Sequence, residues 1–85
     1  MATVELTLEA RRRIDELPLV IRARVLLIVE RLRHWPQVSG AKPLRGRLAG
    51  RWRIRTGDYR IQFHVAGKTV SIEQVGHRDG FYEER

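Results

Sequence analysis

A chain of 85 residues with 42% hydrophobic content can bury one core and has no room for a second. Cysteine is absent, which excludes disulfides and thiolate metal sites and gives no sign of an oxidising compartment. The net charge of +7 directs attention to a polyanionic partner. No apolar run approaches the roughly 18 residues of a membrane span, and MATVELTLEARRR has no positively charged lead into an apolar stretch. The expectation is a single cytoplasmic domain over residues 1–85 with no membrane partner.

Thr3 to Leu6 reads as a short strand, with Val4 and Leu6 on one face. Thr7 can cap the helix that follows, on which Ala10, Ile14 and Leu17 recur at helical spacing. Pro18 fits a break between two helices. The second helix is expected from about Leu19 to Trp35, with Ile21, Val25, Ile28, Leu32 and Trp35 on its core side, and Pro36 ends it. Gln37 to Lys42 is a polar connection, and Lys42 to Leu48 a loop leading into a short strand or turn.

The period then changes from helical to alternating. In Trp52 to Val65, WRIRTGDYRIQFHV, apolar Trp52, Ile54, Tyr59, Ile61, Phe63 and Val65 alternate with Arg53, Arg55, Arg60, Gln62 and His64. Gly57-Asp58 is a two-residue loop with glycine first, as a type II′ turn requires. That loop predicts the pairs Thr56–Tyr59, Arg55–Arg60, Ile54–Ile61, Arg53–Gln62 and Trp52–Phe63. Two arginines opposite each other repel, so the pair reads as a place prepared for an anion. A last strand, Thr69 to Val75, should point Val70 and Ile72 one way and Ser71 and Glu73 the other. The fold class expected is α+β in the order β-α-α-β-β-β: an antiparallel sheet, a two-helix hairpin on one face and a short C-terminal tail.

Charge is concentrated. Lys42, Arg45, Arg47, Arg51, Arg53, Arg55 and Arg60 face a single acid, Asp58, across that stretch. Arginine far outnumbers lysine, which favours bidentate phosphate contacts. Lys42, Arg45, Arg47 and Arg51 flank the hairpin as candidate phosphate-binding residues, the set that would hold a nucleic-acid backbone.

KPLRGRLAGRWRIRTGDYRIQFHV, followed by VSIEQVGHR and a tyrosine near the end, resembles the RelE/ParE superfamily of bacterial type II toxins. The resemblance covers essentially the whole chain and implies that superfamily's fold. RelE-like members are ribosome-dependent endoribonucleases that cut mRNA in the decoding site, whereas ParE-like members inhibit DNA gyrase. On the RelE pattern the working residues correspond to Arg53 and Arg55, to Arg60 of Gly-Asp-Tyr-Arg, to Arg78 of Gly-His-Arg, and to Tyr82. RelE carries lysines where Arg53 and Arg55 stand, and an arginine cannot deprotonate near neutral pH, so neither serves as a general base.

Metal-free RNA cleavage requires a proton taken from the 2′-hydroxyl, in-line geometry, stabilisation of the phosphorane and a proton for the leaving oxygen. His77, the histidine of Gly-His-Arg, suits the proton transfers; otherwise it is a turn residue bonded locally. Tyr82 can act as acid or base or stack on a nucleobase, or else docks the C-terminus with Phe81. The resemblance implies no cofactor. It implies a cognate antitoxin, expected to be acidic, the ribosome with its mRNA, and operator DNA reached through the antitoxin. The alternatives are a ParE-like gyrase inhibitor without catalysis and an inert module that binds only antitoxin.

Overall fold

The computed structural model describes residues 1–48 and 50–77. Strand β1 (Thr3–Leu6) leads into helices α1 (Leu8–Glu16) and α2 (Leu19–Arg31). A two-residue strand β2 (Lys42–Pro43) follows, then β3 (Arg51–Thr56), β4 (Tyr59–Ala66) and β5 (Thr69–His77). The strands form one sheet in the order β1-β5-β4-β3-β2. Among the described residues no helix is long and apolar enough to cross a membrane.

Local chemistry accounts for the helix ends. Thr7 caps α1, its Oγ1 accepting from the Ala10 N–H at 3.1 Å. The same hydroxyl donates to the Glu73 carbonyl at 3.4 Å, which ties the start of α1 to β5. Regular α2 ends earlier than its apolar spacing predicts. Leu32–His34 tightens into a 3-10 turn, and Trp35 is extended (φ −51°, ψ 136°), as the residue before a proline must be.

The hairpin has the predicted register throughout, from Thr56↔Tyr59 to Trp52↔Phe63. Gly57 has φ +60° and, among the described residues, none other than glycine has positive φ, which fits the type II′ turn. The inner face is the core. Ala10, Ile14, Val25, Ile28 and Leu32 of the helical layer meet Ile54, Ile61, Phe63, Val70, Ile72 and Val75 of the sheet. Trp35 sets its ring edge-on to Trp52 (4.8 Å) and to Phe63 (5.3 Å), the arrangement aromatic quadrupoles favour.

Two further features depart from the sequence reading. The sheet is antiparallel from β2 to β5, but β1 pairs parallel with β5. A four-residue alternating segment reads alike in either direction; here the direction follows from where α1 begins, beside Glu73. Second, β5 runs on to His77 and contains a bulge: Phe63 pairs with Ile72, whereas Gln62 pairs with Gln74, leaving Glu73 as the extra residue. The bulge resets the alternation, so Val70, Ile72 and then Val75 all reach the core.

Candidate nucleic-acid interface

The face away from the helices follows directly from the strand register. One row across the sheet is Lys42, Arg53, Gln62 and Gln74. The next is Arg55, Arg60 and Gly76, and on the other side runs Arg51, His64 and Ser71. Five cations therefore stand on neighbouring strands about 4.8 Å apart, and two of the contacts, Lys42–Arg53 and Arg55–Arg60, are between like charges. Such pairs weaken a sheet and strengthen its hold on an anion.

Burial differs sharply along these rows. Arg55 is exposed and Arg53 half-buried, whereas Arg60 is only 9% exposed. A guanidinium held that firmly has little side-chain freedom left to lose when it engages a phosphate, which is the meaning of preorganisation. The strand on which it sits is the central one, flanked on both sides by paired neighbours.

Arg51 has a different setting. Its Nε donates to Glu73 Oε1 at 2.8 Å, a half-buried ion pair that passes over β4 between β3 and β5. Glu73 reaches this position because the bulge adds it to the strand. Glu73 balances the charge of Arg51, and Arg51 stands as a positioned cation beside the arginine rows. Arg45 is exposed on the loop after β2, and Arg47 is exposed on the 3-10 turn Gly46–Leu48.

His77 pairs across the sheet with Tyr59 and places its ring edge-on to the tyrosine at 5.4 Å. Strand alternation therefore aims it to the Tyr59 side, one residue past Gly76, the partner of Arg60. Arg78 and Tyr82 lie outside the described residues. Arg53, Arg55 and Arg60 are thus gathered on one surface with Lys42 and Arg51 beside them, whereas His77 turns its ring to the opposite side, toward Tyr59.

A groove of about 700 Å³ adjoins the arginine rows. Its lining includes Glu9 and Arg13 from α1, Arg47, the Arg51–Glu73 pair, and Gln62 with Gln74. The α1 contribution was not legible from sequence, because it depends on how the helix lies along β5. Gln62 had a signal, its alternation in phase with the arginines, but no charge to single it out.

No protein-family model matches the chain. Toxin RelG of Mycobacterium tuberculosis is 35% identical to it over 82 residues, 94% of each chain. Among solved structures, the toxin–antitoxin complex RelBE2 of Mycobacterium tuberculosis matches with a TM-score of 0.79 at 35% identity, over 91% of this chain and 98% of that one. The RelB–RelE antitoxin–toxin complex of Methanococcus jannaschii gives a TM-score of 0.80 at 26% identity, over 94% and 96% of the two chains. A helical hairpin on a five-stranded sheet whose far face carries paired arginines is, in this light, the architecture of a small basic toxin. The chain belongs to the RelE toxin family.

Proposed function

We propose that the protein is the toxin of a type II toxin–antitoxin pair and that it cleaves mRNA on the ribosome. The observation that carries this reading is the Arg55–Arg60 pair, with Arg60 nine-tenths buried on the face opposite the helices. In the reaction the 2′-oxygen attacks the adjacent phosphorus, the 5′-oxygen leaves with a proton, and a cyclic phosphate remains. Charge builds on the non-bridging oxygens as the phosphorane forms. Arg53, Arg55 and Arg60 supply donors where that charge develops, and such fixed donors are worth most when they need no reorganisation.

None of the arginines can accept the 2′-proton. His77 sets its ring edge-on to Tyr59, on the side of the sheet opposite Arg60, and it is as a lining residue of the adjoining groove that this imidazole is the side chain assigned to that transfer. Arg78 and Tyr82 join the set through the family resemblance. Lys42, Arg45 and Arg47 steer and hold the RNA backbone.

The partner that restrains the toxin is a cognate antitoxin, acidic to complement a net charge of +7. The solved relatives are themselves complexes of toxin with antitoxin. Operator DNA is reached through that antitoxin, and action on the ribosome places the protein in the cytoplasm.

The test is induced expression of the chain in bacteria with primer extension on abundant mRNAs. New 5′ ends confined to translated frames, lost in an Arg60→Ala, Arg78→Ala double variant, are expected. Growth arrest with intact mRNA would overturn cleavage and turn attention to DNA gyrase.

A further inference from the structure

The groove beside the arginine rows has a floor unlike its surroundings. Gln62 is 9% exposed and lines the groove, yet among the described residues no hydrogen bond is made by its side-chain amide. That amide carries two N–H donors and an oxygen that accepts twice. With the rest of the side chain buried, the amide is held in place with its polar atoms open to the groove. Gln62 therefore presents unused hydrogen-bonding capacity to whatever fills the groove.

The charges around it are nearly balanced. Glu73 engages Arg51 at 2.8 Å. Glu9 and Arg13 stand four residues apart on α1, acid before base, the favourable order on a helix. Among the described lining residues, three arginines, Arg13, Arg47 and Arg51, stand against two glutamates, Glu9 and Glu73, a small excess of charge. The groove thus suits a neutral ligand with a polar edge, while Arg53, the other cross-strand neighbour of Gln62, belongs to the phosphate-binding surface. A neutral polar ring tethered to a phosphate is a nucleotide.

We propose that this groove is a nucleobase subsite and that Gln62 selects the base beside the bound phosphate. The role in cleavage rests on the nuclease reading above. A single carboxamide can pair with adenine in two hydrogen bonds, through N6 and N7, and in single-stranded RNA that edge is open. Adenine is the preferred occupant, and Arg47 offers a guanidinium plane on which it can stack.

The test uses the full chain, isotope-labelled, titrated with the 3′-monophosphates of adenosine, cytidine, guanosine and uridine and with ribose 5-phosphate as a control without a base. The Gln62 side-chain amide signals should move most with the adenosine nucleotide and hardly at all with ribose phosphate. In Gln62→Met, which keeps the length and removes the hydrogen bonds, the preference for adenosine over the other nucleotides should fall about tenfold. Equal movement with ribose phosphate, or none with any nucleotide, overturns the subsite even should the variant fail to fold. With programmed ribosomes, the ratio of cleavage beside adenine to cleavage beside other bases should fall by a similar factor in Gln62→Met. A wild-type chain that binds adenosine monophosphate through Gln62 but cuts no mRNA would refute the nuclease reading and support the subsite.

Discussion

Replacing Arg55 by glutamine should make the protein more stable and less active. Arg55 stands directly opposite Arg60 in the hairpin, and a like-charge pair in that position costs a few tenths to about 1 kcal/mol. Removing one charge while keeping a long polar side chain should therefore recover about 0.5 kcal/mol. For a domain of this size that corresponds to a rise in melting temperature of about 2–4 °C. Screening supplies the internal control: the Debye length shrinks from about 10 Å at 0.1 M salt to about 3 Å at 1 M. The gain should thus be largest in dilute buffer and nearly vanish in 1 M sodium chloride. Arg55→Lys keeps the charge and should gain almost nothing. Thermal unfolding of the three proteins at two salt concentrations decides the matter, with cleavage of programmed ribosomes measured alongside. A glutamine variant that melts lower than the wild type in dilute buffer, or a gain indifferent to salt, would refute the idea that this pair is a stability cost retained for an anion.

Phe63→Ala removes a fully buried ring that packs against Trp35 and should cost about 3–5 kcal/mol. Against a total of roughly 4–13 kcal/mol for a chain of this length, urea titration should find it barely folded, and a loss below about 2 kcal/mol would contradict the packing described. For Arg51 and Glu73, whose side chains are 35% and 26% exposed, a double-mutant cycle should give a coupling of about 0.5–1 kcal/mol, since solvent screens a pair this open. A coupling near zero would mean that the ion pair does not persist in solution.

The hairpin was legible in the sequence because two independent signals agreed. Alternation from Trp52 to Val65 set the faces, and Gly57-Asp58 set the loop, so the register had one solution. Thr7 and Pro36 were equally plain as punctuation of the helices. The last strand was not, because VSIEQVGH holds two alternations out of phase, and only the pairing of Gln62 with Gln74 reveals that Glu73 is the residue that separates them. The direction of β1 was hidden for a different reason: its four residues carry no directional pattern. At the site, the presence of Arg53, Arg55 and Arg60 on one surface followed from the hairpin alone. The near-complete burial of Arg60 did not, since it depends on tertiary surroundings. His77 was grouped with the arginines by its place in Gly-His-Arg, whereas strand parity gives its ring to Tyr59.

The parallel pairing of β1 with β5 also bears on when the protein becomes itself. Thr7 waits for a hydrogen-bonding partner 66 positions later, and among the described residues β1 has no neighbour in the sheet other than β5. At a synthesis rate of 5–20 residues per second that delay lasts roughly 3–13 s. Toward its end the arginines of β3 and β4 already exist, but Gly76, Gln74 and the Glu73 that fastens Arg51 do not. A nascent chain of this sequence carries its charges before it carries its site, and the ribosome that makes it releases the sheet's closing strand last.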